Sequence, residues 1–119
     1  MGDGAAAALL CSEEALANFP REAQARAVLV RTSQLSGGKY RRLDEPGLSR
    51  IAADKAYARS GLKPADMHLA EVHDATSFCE IYQLEMLRLC DDGQGGRFVE
   101  SGATALGGRL PVNMSGGPI

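Results

Sequence analysis

The chain has 119 residues, of which 45% are hydrophobic, and its 13 Lys and Arg against 15 Asp and Glu give a formal net charge of −2. This size and hydrophobic share are typical of one folded domain, or a piece of a larger one, and exclude disorder along the whole chain. The longest apolar run, 5–11, is far shorter than the ~20 residues that span a bilayer. Because charges of both signs are interspersed and aromatic residues are few, we expect neither a membrane nor a nucleic-acid partner.

The first predicted elements are a strand, a helix and a second strand. The apolar run 5–11 predicts a buried strand, and Ser12 is an N-cap residue for a short helix that stops near Pro20. A β-branched cluster within 25–32 predicts the second strand. The segment 34–46 has little periodicity and is predicted to be loop.

A helix and a strand are predicted next. The alanine-rich run that begins at Ser49 is typical of a helix, which Gly61 can close in the left-handed conformation before Pro64 prevents its resumption. A strand over 67–72 would place positions 73–74 just beyond its C-terminal end. Open α/β sheets carry their chemistry at that edge.

The last predicted helix spans 78–90, with Thr76 or Ser77 as its cap, and it is apolar on most sides. A short strand is predicted at 98–99, followed by glycine-rich turns up to Asn113. Since strands alternate with helices, the predicted class is α/β.

The three cysteines form no Cys-x-x-Cys pair and are odd in number, so we expect neither a disulfide framework nor a zinc site. Cys11, Cys79 and Cys90 each lie among apolar residues, where a free cysteine is usually a small buried hydrophobe. Only Cys79, near His73 in sequence, offers a weak argument for a nucleophile. Free thiols suit a reducing compartment, so the expected location is cytoplasmic.

Five short motifs follow one another along nearly the whole chain. They are DGAAA at 3–7, GLKPAD at 61–66, EVHD at 71–74, LCDDG at 89–93 and GGRLPVNMSGG at 107–117. This ordered series resembles the thiolase superfamily, and within it the sterol-carrier-protein-type (lipid-transfer-protein-like) thiolases. The resemblance implies a thiolase fold of two βαβαβαββ halves packed in layers αβαβα. Residues 1–119 would then be a single partial C-terminal-half domain, made of the last strand of the first half and a portion of the second.

The resemblance also implies a catalytic role for His73. The sterol-carrier-type branch has His-Asp-Cys-Phe where this chain has His-Asp-Ala-Thr at 73–76, so the first two positions match. Acyl transfer develops charge on a carbonyl oxygen, and a fixed donor aimed there lowers the barrier. From the residue alone, the simpler interpretation is a strand-end histidine that satisfies a backbone carbonyl.

Four further residues are implied to bind substrate. Asp74 either orients His73 or caps the following helix, and we favour capping. Asn113 with Gly116 and Gly117 resembles the family's Asn-x-x-Gly-Gly turn, where glycines let the backbone approach the thioester, although a tight turn alone is an equal alternative. Coenzyme A would enter only as part of the substrate, and we expect no further cofactor and no metal.

The family's nucleophilic cysteine belongs to the first half, and its Gly-His-Pro motif and second catalytic cysteine follow the Gly-Gly turn. None of the three cysteines matches either position. The resemblance therefore implies an inactive fragment of a thiolase-like acyl-CoA acyltransferase of lipid metabolism, which acts on 3-oxoacyl-CoA by thiolysis or condensation. The parent would be a homo-oligomer that binds an acyl-CoA. Two alternatives stay open: a fragment of a thiolase-fold retro-aldolase for sterol side-chain CoA thioesters, with an OB-fold partner protein, or a non-catalytic truncated remnant.

Overall fold

The computed structural model describes residues 4–38 and 40–117, so Asp3 of the first motif lies outside the described residues. The chain divides into two compact units, Met1–Val30 and Arg31–Ile119. The first unit holds α1 (Glu13–Leu16) and α2 (Arg21–Ala25), and the second holds α3 (Leu48–Ser60), a 3-10 turn (Pro64–Asp66), α4 (Ser77–Met86) and α5 (Gly95–Glu100). Within the described residues, no helix has the length and apolar character needed to cross a membrane.

The N-cap predicted for the first helix is confirmed. The backbone N–H of Ala15 donates to the Ser12 hydroxyl oxygen at 3.2 Å, and α1 follows directly. The helical conformation stops before Pro20, as expected, but α2 begins immediately after this proline and was not predicted. Pro20 is the N-cap residue of α2, with φ −55° and ψ 145°, and the N–H that proline lacks would have no partner within the helix.

Neither strand predicted in the first third of the chain is present. Residues 5–11 are irregular and exposed, and 25–32 contains the end of α2 followed by irregular backbone in which Val28, Leu29 and Val30 are exposed. A strand exists only when a neighbouring segment accepts and donates its backbone hydrogen bonds. Apolar and β-branched residues favour such pairing but do not supply the partner, and no described segment pairs with either run.

Two later strand predictions are also corrected. The strand expected over 67–72 is reduced to a single parallel bridge between Ala70 and Val112. Residues 98–99 lie inside α5, so the strand predicted there is wrong. The Phe98 N–H donates to the Gln94 carbonyl at 2.9 Å, which is a helical i to i−4 bond, so the backbone here is satisfied within the helix.

Helix α3 ends as predicted, at Gly61 with φ 72°, whose N–H donates to the Tyr57 carbonyl at 3.0 Å. Two of its side chains hold the C-terminal end of α4. The Arg50 guanidinium donates to the carbonyls of Glu85 at 2.7 Å and Met86 at 3.0 Å, and the Tyr57 hydroxyl donates to the Leu87 carbonyl at 2.8 Å. Carbonyls that the last turn of a helix leaves free are thereby satisfied by a neighbouring helix.

Helix α4 ends earlier than the predicted residue 90 because the chain turns at Arg88, which has φ 58°. The Leu89 N–H donates to the Leu84 carbonyl at 2.9 Å, and the Arg88 N–H donates to the Glu85 carbonyl at 2.9 Å. This is a Schellman motif, which usually has glycine at the left-handed position. Here the Arg88 guanidinium makes two bonds to the Asp54 carboxylate, at 2.6 and 3.0 Å, and these offset part of the strain.

The core of the second unit lies between the end of α4 and the segment that follows α5. Leu84 and Leu110 are fully enclosed, and Leu89 and Val112 are buried beside them. The half-buried Val72 packs against this cluster. The core therefore fixes the 70–72 segment against the 110–112 segment, and it does so next to the residues implied to bind substrate.

Candidate functional site

Two irregular segments, 70–74 and 110–117, lie side by side in the second unit. The Ala70 N–H donates to the Pro111 carbonyl at 3.0 Å, and the Asn113 N–H donates to the Ala70 carbonyl at 2.9 Å. These bonds form the parallel bridge between Ala70 and Val112. The positions that follow the bridge on each segment, 73–74 and 113–117, are consequently neighbours.

Asn113 extends this pairing with its side chain where the backbone turns away. Its φ is 54°, a left-handed conformation that asparagine tolerates better than most residues. The Val72 N–H donates to Asn113 Oδ1 at 2.8 Å. Asn113 Nδ2 is buried and has no hydrogen-bond partner among the described residues. The Asn113 side-chain oxygen thus joins the turn at 113–117 to the segment 70–74, while the two N–H donors of its Nδ2 have no partner in the described part of the chain.

Asp74 is only 7% exposed and lies against Gly117. A Cβ on Gly117 would stand 2.9 Å from the Asp74 carboxyl carbon, and Gly117 has φ 67°, so glycine is required there for both space and conformation. Asp74 Oδ1 is buried without a hydrogen-bond partner among the described residues. The capping role favoured for Asp74 is wrong, because Thr76 caps α4. The Thr76 hydroxyl oxygen lies one turn before Cys79 and accepts the Cys79 backbone N–H at 3.2 Å.

The glycine turn is closed by one backbone bond and tied down by one side chain. The Gly116 N–H donates to the Asn113 carbonyl at 3.0 Å, and Gly116 has φ 114°. The N–H and hydroxyl of Ser115 donate to the two carboxylate oxygens of Glu71, at 3.1 and 2.7 Å. Sequence reasoning missed the Glu71–Ser115 contact, which joins positions far apart in the chain and has no local signal.

His73 lies between half-buried Val72 and buried Asp74, and its own side chain is exposed. Within the described residues its imidazole makes no hydrogen bond, to a backbone carbonyl or to any side chain. The structure thus brings Asp74, Asn113, Gly116 and Gly117 together and places His73 at their margin with both ring nitrogens unengaged. The imidazole is therefore open to solvent, and the two neighbouring side chains, Val72 and Asp74, are the ones turned toward the protein interior.

The cysteines supply no nucleophile at this site. Cys11 is exposed, which corrects the expectation that it is buried, and Cys79 and Cys90 are half-buried. The Thr76 hydroxyl donates to Cys79 Sγ at 3.2 Å. Burial raises the pKa of the Cys90 thiol, with the charges of Glu85 and Asp91 adding to the effect. Among the described residues, no group of three or more acidic, His or Cys side chains is placed to hold a metal ion.

The site is thus a buried aspartate against a glycine-glycine turn, on two segments that one parallel bridge joins. Residues 44–119 match the family model described as Thiolase C-terminal domain-like, and the chain therefore belongs to the thiolase family. The resemblance drawn from the five motifs is confirmed.

Two curated relatives and one solved structure show which family members the chain is similar to and how much of each it covers. The chain is 37% identical to sterol carrier protein 2 of Bos taurus, over 98% of this chain and 23% of that protein. It is 38% identical to an acetyl-CoA acetyltransferase of Methanothermobacter thermautotrophicus, over 98% of this chain and 31% of that protein. A solved structure, the Ltp2-ChsH2(DUF35) aldolase, superimposes with a TM-score of 0.63 at 33% identity, over 71% of this chain and 24% of that one.

The chain spans 22% to 32% of the length of the curated relatives it matches. The family match and the solved neighbour confirm an α/β domain of thiolase type. The finer assignment, to the last strand of the first half and a portion of the second, stays a prediction.

Proposed function

We propose that residues 1–119 supply part of the acyl-CoA site of a thiolase-like acyltransferase. Such an enzyme cleaves or forms a carbon–carbon bond in a 3-oxoacyl-CoA through an acyl-cysteine intermediate. The observation that carries the proposal is the contact between Asp74 and Gly117, because it sets the His-Asp motif against the Gly-Gly turn. The 38% identity to an acetyl-CoA acetyltransferase supports the reaction class.

His73 is the proposed catalytic residue. Its side chain is exposed at the end of the segment that carries it, and no described residue uses its ring nitrogens. An imidazole N–H pointed at the thioester oxygen stabilises the negative charge that this oxygen gains in the transition state. One such donor is worth about 10²–10³ in kcat.

Asp74 and Asn113 are the proposed polar contacts to the substrate. Asp74 Oδ1 is a buried acceptor and Asn113 Nδ2 a buried donor, and neither has a partner among the described residues. Leaving such a group unpaired costs roughly 1–3 kcal/mol. A substrate that offers a donor to the first atom or an acceptor to the second recovers part of that cost. The left-handed Gly116 and Gly117 let the backbone approach the thioester without side chains between them.

We infer that residues 1–119 alone do not turn over substrate. None of the three cysteines lies in the 70–74 or 110–117 segments, and no histidine other than His73 belongs to them. The purified chain is expected to show no thiolysis of acetoacetyl-CoA above a buffer control. Turnover by the isolated chain would contradict this inference.

A second candidate is the retro-aldolase. The solved neighbour at 33% identity is an aldolase named for two components, Ltp2 and ChsH2(DUF35), which supports both that chemistry and a partner protein. His73 favours thiolase chemistry because its free imidazole can serve as an oxyanion donor. The third candidate is a non-catalytic remnant.

We also propose that the complete protein containing these residues is cytoplasmic and forms homo-oligomers.

One experiment separates these functions in the complete protein. Incubation with radiolabelled acetyl-CoA, followed by denaturation and peptide mapping, is expected to show acetyl transfer to a cysteine outside residues 1–119, together with thiolysis of acetoacetyl-CoA. Cleavage of a sterol side-chain CoA thioester without protein acetylation would establish the aldolase. Absence of both activities in a folded protein would establish the remnant.

A further inference from the structure

The second unit has a cleft away from the candidate site. It is an open depression with a volume of about 630 Å³. The walls come from the start of the 3-10 turn, the turn that follows α4, the first residues of α5 and the segment after α5. None of the lining residues belongs to the 71–74 or 113–117 segments, so the cleft is separate from the acyl-CoA site proposed above. The charged side chains and the one thiol in its lining are Lys63, Arg88, Cys90, Asp91, Arg97 and Arg109.

The cleft is positively charged although the chain has a net charge of −2. Four cationic side chains line it, and Asp91 is the one carboxylate among its lining residues. Arg88 is paired with Asp54. Within the described part of the chain, Lys63 and Arg97 make no ion pair. A concave surface that concentrates charge of one sign raises the local concentration of ligands of the opposite sign.

Arg109 is held in place before any ligand arrives. Its Nη2 donates to the Leu89 carbonyl at 2.8 Å, and its guanidinium carbon lies 4.8 Å from the centroid of the Phe98 ring. A guanidinium carries five N–H donors, so the bond to Leu89 leaves most of them available. A cation fixed in this way loses little conformational entropy when it binds an anion.

Apart from Asp91, the residues that lie between the cations in the lining of the cleft carry no charge that would repel an anion. Leu89 is buried and Phe98 half-buried, and both are apolar. Because burial raises the pKa of the Cys90 thiol, that side chain stays neutral at pH 7. The Gln94 side chain, which also lines the cleft, has two amide N–H donors.

We propose that this cleft binds the phosphate group of a small ligand, with Arg109 as a fixed donor and Lys63 and Arg97 as the charges that neutralise it. A phosphate carries up to two negative charges and three strong acceptor oxygens, which match two unpaired cations and a guanidinium. Free phosphates and phosphate esters share this chemistry. The volume leaves room for an organic group beyond the phosphate, which favours an ester.

Calorimetric titration of the complete protein with inorganic pyrophosphate and with ADP tests the proposal. The double variant Lys63→Gln/Arg97→Gln is expected to weaken binding at least tenfold, since two charge-assisted hydrogen bonds are lost. The matched control is Lys55→Gln/Arg59→Gln, which removes the same charges from exposed positions of α3 that do not line the cleft. Binding by this control is expected to be unchanged.

Tighter binding of ADP than of pyrophosphate identifies an ester, and equal binding identifies a free phosphate; both support a phosphate site. The charge-restoring variant Lys63→Arg/Arg97→Lys, checked by its thermal melt, is expected to bind again. Three results would overturn the proposal: no binding of either probe, an equal loss in the two double variants, or binding of a glutamate-rich peptide in place of both phosphates. The last would mean that the cleft takes an acidic protein segment.

Discussion

Gly117 is in contact with the carboxyl group of Asp74, where an added Cβ would lie 2.9 Å from the carboxyl carbon. This contact joins the two halves of the candidate site, the segment that carries His73 and the turn that begins at Asn113. A side chain at position 117 must displace either the turn or Asp74.

Gly117→Ala in the complete protein is therefore expected to lower kcat by tenfold or more, through displacement of the turn. Gly93→Ala is the matched control, because Gly93 has φ 76° against 67° for Gly117 and no atom within 4 Å of its would-be Cβ. Both variants pay a similar backbone cost of roughly 1 kcal/mol. Equal loss of kcat per folded molecule in the two would show that the contact with Asp74 is irrelevant to activity.

Arg50 of α3 makes two hydrogen bonds to the end of α4, against one from Tyr57. Arg50 is buried and donates to two carbonyls at the end of α4 and to Asp92. Arg50→Met keeps much of the volume but removes the side-chain donor to the Met86 carbonyl and one of two donors to the Glu85 carbonyl, which also accepts the Arg88 N–H. We expect a loss of about 2 kcal/mol in the free energy of unfolding. Urea titration measures it. Arg59→Met on the exposed face of the same helix serves as control, with a change within about 0.5 kcal/mol.

The Asp54–Arg88 pair predicts a small dependence of stability on pH. The hydrogen bond from Arg88 holds the pKa of Asp54 below its usual value. A carboxyl whose pKa is lower in the folded state stabilises the protein above its unfolded pKa, and that contribution is lost as pH falls through the folded value. Because the pair is half-exposed, its contribution is about 0.5 kcal/mol. Melting curves are expected to show Asp54→Asn less stable than the native chain at pH 7, with the difference gone at pH 2. A difference that persists unchanged at pH 2 would contradict this origin.

Local signals predicted the elements that depend on neighbouring residues alone. Ser12 caps α1, Thr76 caps α4, and Gly61 closes α3 before Pro64. Each of these signals acts within about one turn of helix. The true end of α4 was missed because its left-handed residue is Arg88, where a glycine would have marked the turn.

The strand predictions were wrong for the opposite reason. A strand requires a partner segment. Within 67–72, only Ala70 has one among the described residues, through its bridge to Val112, and no local sequence pattern predicts a pairing over that distance. The same holds for the site. The motifs indicated His73 and the Gly-Gly turn as separate features, whereas the bonds that join their segments, such as Val72 to Asn113, connect residues distant in sequence.

The most direct test of the proposed function is kcat for thiolysis of acetoacetyl-CoA by His73→Ala and His68→Ala in the complete protein, with melting temperatures from the same preparations. His68 is the other histidine of the chain, is exposed, and lies outside the site segments. We predict that His73→Ala lowers kcat by about 10²–10³ with little change in melting temperature, as for loss of one oxyanion donor, and that His68→Ala changes neither. A lower melting temperature for His73→Ala with unchanged kcat per folded molecule would contradict the catalytic assignment and make His73 a structural residue.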